Sequence, residues 1–352
     1  MTTKDVPPGR ALTDMAMGYI RGKTLCAAVR LEIADALGDG EQHLDELAVA
    51  TGSDRDALYR LLRALAGIGV LTEVTPFCFA LTPLGQPLRR DAPDSVWASI
   101  VFWADLLADS WTYLAECVRA GGDLGALAVM EREGVKSRWS REPDAQAIFH
   151  AAFAEPTASD MATVAGAYDF SRCHVVADLG GAGGGLLSAI LAAHPEARGI
   201  LVDRKEAIDG AARRLAATGL ADRCDLVAGD LLEAVPGGAD AYIMKSVLHG
   251  YDDASARRIL TNCFTSMTAE SRLLLMEVVL PVQIDRADPR LERLLLADLN
   301  MLAVTGGRER SATEWESLLA SAGFELRRVI SVPGQDCSIL EAVPDRRGSE
   351  MQ

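Results

Sequence analysis

The chemistry-bearing residues gather in the second half of the chain. HVVADL (174–179) reads as a buried strand and runs straight into GGAGGG (180–185), five glycines in six positions. A glycine turn between strand and helix lets a ligand approach the backbone and aims the amides of the next helix at it. The dinucleotide fingerprint G-x-G-x-x-G/A fails in every register, because the last position falls on Leu186 or Ser188. That argues against NAD. Asp178 ends the first strand, Asp203 ends the next, and Gly229-Asp230 closes a third. Singly, each aspartate reads as readily as a solvated loop residue. With the glycine turn they describe a nucleoside pocket at strand ends, Asp203 accepting from ribose hydroxyls. His249 is the one histidine just past a strand end on that edge. A lone histidine is more often structural, but an imidazole of pKa near ~6.5 suits removal of a phenolic proton. Glu277 lies inside the apolar run RLLLMEVV (272–279), a carboxylate that needs a buried partner, and an imidazole would serve.

The other reactive residues are dispersed. Seven cysteines, an odd number, form no C-x-x-C pair, and the five histidines are equally scattered, so neither a disulfide framework nor a metal site is expected. Reduced core cysteines and a cytoplasmic protein are the expectation. MTTKDVPPGR has no apolar signal region, and no run of about 18 apolar residues could span a bilayer.

Around these residues the chain changes character near 170. Beyond it, strands at 174–179, 199–203, 224–229, 241–245 and 272–279 alternate with helices at 184–193, 205–217, 253–267 and 312–322. An antiparallel pair at 326–331 and 338–343 completes seven strands. This is the pattern of a doubly wound α/β domain with a mostly parallel sheet. Before 170 the periodicity is helical. Met15, Tyr19, Ile20, Leu25, Val29, Leu31, Ile33 and Leu37 give residues 11–38 a wide apolar face, suited to core or to a dimer seam. A helix capped by Ser53 or Asp54, with Leu58, Leu61, Leu62 and Leu65 as its stripe, precedes strands Val70–Val74 and Phe77–Leu81 around Pro76. Helix, turn, helix and two strands make a winged-helix pattern.

A winged helix raises DNA binding, and charge tests it. Residues 1–90 hold 10 Lys and Arg against 11 Asp and Glu, and the 352-residue chain carries a net charge of −15. Such a surface disfavours phosphate backbones and anionic lipid, so a dimerisation platform is expected rather than a transcription regulator. Hydrophobic residues at 49% and charged residues at 24% describe a core-forming globular protein. Large aromatic side chains concentrate in 95–165, Trp103, Phe149 and Phe153 among them, where they could line a cleft for a flat organic ligand or simply fill a core.

The ordered series DLGGAGGG, LVDR, AGDLL, IMKSVLHGYDD, LLLMEVVLP, DLNMLAVTGGRERSATEW and AGF resembles the S-adenosylmethionine-dependent small-molecule O-methyltransferases, similar to plant caffeic acid O-methyltransferase and its bacterial antibiotic-tailoring relatives. The resemblance covers nearly the whole chain. It implies a Rossmann-like class I methyltransferase domain (166–345), a winged-helix dimerisation domain (1–105) and a helical linker (106–165) that contributes to the substrate pocket. It also implies that Gly180, Gly181 and Gly184 hold the methionine part of the cofactor and Asp203 the ribose. Asp230, Leu231, Lys245 and Tyr251 would serve the adenine side. His249 would be the base, with Glu277 and Glu309 orienting it. Taken alone, Glu309 reads equally as an exposed loop charge paired with Arg308 or Arg310. Phe153, Asn300 and Met301 match substrate positions, although Asn300 alone could be a helix-surface amide.

The activity implied by the resemblance is metal-free methyl transfer to a hydroxyl of an aromatic or polyketide-type intermediate in a homodimer, leaving S-adenosylhomocysteine. Four departures stand out: Ala182 replaces the family's central glycine, Tyr251 a tryptophan, Phe153 a methionine, and His249-Gly250 the usual His-Asp. The last leaves carbon or nitrogen methylation as the alternative.

Overall fold

The computed structural model describes residues 7–121, 125, 130, 137–154 and 157–346. They fall into two units. The first comprises the described residues up to Asp109 with those of 136–155, and the second those of 110–135 and from 156 on. The segment 106–165, expected as one linker, is thus shared between them.

In the first unit the winged-helix pattern holds. Helix Arg55–Gly67 is capped by Asp54, whose Oδ1 accepts from Ala57 N–H at 2.9 Å. Leu58, Leu62 and Leu65 are buried, while Leu61 flanks the stripe and is only half-buried. Strands β2 (Leu71–Thr75) and β3 (Cys78–Leu81) pair antiparallel, and Phe77 turns the corner at φ 66°. A third strand, β1 (Glu41–His43), pairs with β3 and goes beyond the expected pattern. Three polar residues carry no alternation for a reader to see. The expected wide apolar face divides: Val29, Ile33 and Leu37 are buried, but Met15 and Tyr19 are 74% and 67% exposed on helices Pro8–Ala16 and Gly18–Arg30. Phe102, Trp103, Trp139 and Phe149 stack edge to face at 5.1–6.3 Å between centroids, and Trp103 remains half exposed. The side chain of Phe153 lies outside the described residues.

The second unit is built on a sheet of β4 (Val175–Leu179), β5 (Arg198–Asp203), β6 (Cys224–Ala228), β7 (Ala241–Lys245), β8 (Arg272–Leu280), β9 (Arg310–Ser311), β10 (Phe324–Ser331) and β11 (Cys337–Pro344). The order β10-β11-β8-β7-β4-β5-β6 reverses direction between β4 and β7, the switch point of a doubly wound sheet. All seven expected strands are present. β11 runs antiparallel to both β8 and β10. The two-residue β9, an addition to the expected seven, joins the end of β8 in parallel with Val279 opposite Arg310. Central strands read as continuous apolar runs because helices cover both faces: β7 packs Tyr242 and Met244 into one core, Ala241 and Ile243 into the other.

Replacing Asp54 by Ala should cost about 1 kcal/mol of stability in a denaturant titration. Ser53→Ala, whose hydroxyl bonds only Thr51, should cost less.

Candidate active site

The strand ends assemble the glycine turn first. Gly180 sits at φ 74°, and a Cβ there would come within 2.8 Å of the Val247 side chain after β7. At Gly181 a Cβ would strike the Asp178 carboxyl at 2.6 Å. These two glycines are required by close approach, one from each side. Ala182 holds φ 45°, where an L-residue is strained, and its N–H donates to Asp203 Oδ2 at 2.7 Å. That bond ties the end of β5 to the turn after β4. Gly184, at φ 72°, precedes helix Gly185–Ala193, whose N-terminus opens at this edge.

Asp178 is fully buried, and its Oδ2 makes no hydrogen bond within the chain. Burial, reinforced by the nearby Asp203, pushes its carboxyl up to about 7. Asp203 also accepts from Arg204 N–H at 2.6 Å. Asp230 caps the following turn through Leu232 N–H, and Leu231 is buried beside it in the core. Lys245 ends β7 half-buried, and Tyr251 lies half-buried against the core, its phenol pushed up by burial.

Beyond β7 the chain turns sharply. Ser246 takes φ 55°, and Val247 to Gly250 form a tight turn that presents His249. Glu277, on neighbouring β8, is wholly inaccessible. Its Oε1 accepts from Val247 N–H at 2.9 Å and Leu248 N–H at 2.8 Å, while Oε2 lies 3.6 Å from His249 Nδ1. Glu309, just before β9, puts Oε1 2.8 Å from the same Nδ1. Its backbone is held by Asp298, whose Oδ1 accepts Glu309 N–H at 2.9 Å. The reading of Glu309 as an exposed charge paired with Arg308 or Arg310 is therefore wrong. It is 2% exposed and faces the imidazole, while both arginines pair with Asp253.

Burial pulls the His249 pKa down, but the carboxylates of Glu277 and Glu309 outweigh it and hold the imidazole above its ordinary value. Glu277 is itself raised, first by burial. The fold thus gathers three ligand-type groups that are dispersed in sequence, their atoms within 4.8 Å of one another. Nδ1 already shares a hydrogen bond with Glu309, so the set suits an imidazole held between acids, with Nε2 free to work.

Asn300, on helix Leu291–Val304, is buried rather than a surface amide. Its Oδ1 makes no hydrogen bond within the chain, and neighbouring Met301 is half-buried. Trp103 and Phe149 belong to the first unit, whereas the acidic edge and His249 belong to the second. The sequence reading missed Arg310 and Asp253, which anchor the His249 turn. Arg310 gives little outward sign, opening a two-residue strand too short to show a period, and Asp253 reads simply as an acid in the first turn of a helix.

A glycine-lined switch point, acids at the ends of β4, β5 and β6 and a carboxylate-held imidazole thus share the ligand-facing edge of a doubly wound sheet. The chain belongs to the O-methyltransferase family: the O-methyltransferase domain matches residues 111–325 and the O-methyltransferase dimerisation domain residues 13–90. It is 38% identical to phenazine O-methyltransferase PhzM of Lysobacter antibioticus, over 96% of this chain and 97% of that one. It is 37% identical to O-demethylpuromycin-O-methyltransferase of Streptomyces alboniger, over 95% and 89%. The structure of NcsB1, an O-methyltransferase from neocarzinostatin biosynthesis in complex with S-adenosylmethionine and 2-hydroxy-5-methyl naphthoic acid, superposes with TM-score 0.79 at 30% identity, over 97% and 99%.

Asp178 carries a stability signature. Its native pKa lies above the unfolded value near ~3.9, so the folded state binds the extra proton between about 4 and 7 and loses stability as pH rises through that window. Asp178→Asn should flatten the fall in melting temperature of the unliganded protein between pH 5 and 8; equal slopes in both proteins would contradict the assignment.

Proposed function

We propose that this enzyme methylates a phenolic hydroxyl of a small aromatic acceptor, with His249 as general base and Glu277 and Glu309 orienting it. The donor is S-adenosylmethionine, whose sulfonium supplies an electrophilic methyl group. The residues fit such a ligand: unpartnered Asp178 Oδ2 and the crowded glycine turn suit its cationic amino-acid end. Gly180, Gly181, Gly184 and Asp178 would hold that end and Asp203 the ribose hydroxyls. Asp230, Leu231, Lys245 and Tyr251 would serve the adenine side.

The observation that carries the reading is the 2.8 Å contact between His249 Nδ1 and Glu309. With the Nδ1 proton held by the carboxylate, Nε2 presents its lone pair and takes the acceptor's proton. The imidazolium so formed is stabilised by the two acids behind it. Asn300 Oδ1, buried and without a partner in the chain, would accept a hydrogen bond from a polar group of the acceptor. Met301, beside Asn300, is proposed as apolar lining for its rings. The apolar residues left exposed on the first two helices support a homodimer seam.

Mass spectrometry after incubation with S-adenosylmethionine and a panel of hydroxylated and amino-substituted aromatic acids, naphthoates and phenazines should show oxygen methylation. His249→Ala should lower turnover by at least ~10²-fold without altering cofactor affinity. Because His249 is held above its ordinary value and must be neutral to act, the rate should fall toward acid with a midpoint above about 6.5. Full activity in the variant, or methylation confined to amino groups, would refute the proposal.

The seam has its own test. Tyr19→Glu with Ile20→Glu should convert a dimer into a monomer by sedimentation, and an intact dimer would exclude this surface.

A further inference from the structure

The turn that carries His249 starts in a strained conformation, with Ser246 at φ 55°. Such a segment keeps one geometry only if its surroundings over-determine it. Glu277 secures its amides from one side, at Val247 and Leu248. Its carbonyls are secured from the other side by the stretch 307–310. Arg308 N–H donates to His249 O at 2.8 Å. Gly307 lies so close that a Cβ would fall 2.1 Å from the same oxygen.

Arg310 completes the clamp. Its side chain is 1% exposed. Nη1 donates to Leu248 O at 3.2 Å and Nη2 to Tyr251 O at 3.1 Å. Nε and Nη2 grip Asp253 Oδ1 at 3.0 and 2.8 Å. The guanidinium stacks over Trp315 at 5.0 Å from its centroid, and Nη1 also reaches Arg308 O at 3.2 Å. Thus one planar fork fixes the residues just before and after His249, and the start of helix Asp253–Ser266. A lysine could keep the charge beside Asp253, but its single ammonium lacks the geometry to hold both carbonyls.

We infer that Arg310 is a positioning residue: it touches no reacting atom, but locks the turn 248–251 so that the His249 ring stays seated between Glu277 and Glu309. This role rests on His249 being the base, although its test reads the ring directly. The charged groups facing the imidazole are Glu277 from β8, Glu309 from the approach to β9 and Lys245 from the end of β7. If the turn loosens, the two carboxylates lose their close contact with Nδ1 and the ring titrates nearer to ~6.5.

The experiment is an NMR titration of ¹⁵N-histidine-labelled protein, with the His249 resonance identified by its loss in His249→Asn. Arg310→Lys should lower the His249 pKa by about half a unit or more. Asp253→Asn, at a side chain that is largely exposed, should lower it in the same direction by less and serves if the first variant does not fold. Methyl transfer, assayed alongside, should lose at least about tenfold in kcat for Arg310→Lys, with its acid limb moved to lower pH. An unmoved titration in folded Arg310→Lys, or in Asp253→Asn where that is the variant available, overturns the positioning role. Full activity in His249→Ala would instead remove the base assignment and leave the titration result standing.

Discussion

One imidazole facing two buried carboxylates is the interaction on which the second unit is organised. Glu277 is inaccessible and Glu309 nearly so, and two such groups side by side would repel one another and be poorly solvated. His249 is the hydrogen-bonding partner that makes the pair tolerable, and the pair in turn keeps its ring in one orientation. Each of the three would be costly without the other two. Their sequence positions are far apart, so the sheet has to deliver them: β8 brings Glu277, the lead into β9 brings Glu309, and the turn after β7 brings His249. The parallel pairing of β7 with β8 and of β8 with β9 is what makes these three neighbours.

Bringing a backbone this close requires unusual conformations. Ala182 and Ser246 both occupy the left-handed region without being glycine, and both sit in turns at the ligand-facing edge. Strain of this kind persists where the surroundings hold it, and both turns are held by charged side chains. Asp203 ties down Ala182 through its amide, and Glu277 and Arg310 grip the turn after Ser246. Asp203 thereby has a structural duty in addition to its proposed ribose contact. A carboxylate has lone pairs enough for both.

Much of this is legible in the residue order because the doubly wound domain signals itself locally. Continuous apolar runs such as AYIMK, glycines after the first strand and acids at strand ends each arise from one backbone requirement. The capped helix Arg55–Gly67 is legible for the same reason. Short polar strands are not: Glu41–His43 and Arg310–Ser311 exist because a longer neighbour offers them hydrogen bonds, a tertiary cause with no local trace. Glu309 shows the limit well. Its neighbours Arg308 and Arg310 suggest surface ion pairs, and only the fold reveals that Arg308 turns to Glu314 and Arg310 to Asp253, leaving Glu309 for the imidazole. Among the first two helices, apolar periodicity at Met15 and Tyr19 is plain, but periodicity does not tell a buried face from one left exposed, as these two are.

The unpartnered buried atoms indicate what the site is built to receive. Asp178 Oδ2 and Asn300 Oδ1 are among the buried oxygens of the second unit that make no hydrogen bond within the chain, whereas Glu277 Oε2 has the His249 ring 3.6 Å away. Buried polar atoms normally find partners, and leaving one unpaired costs stability. An unpaired acceptor of this kind favours a hydrogen-donating or cationic ligand over a phosphate, which would bring only further acceptors. The chain's overall charge of −15 points the same way. This agrees with a glycine turn that fails the dinucleotide pattern even though it opens a helix whose amides could hold a phosphate. An adenosyl ligand carries no pyrophosphate, and the role proposed for Asp178, Asp203 and Asp230 on this rim is to meet its amino and hydroxyl groups instead.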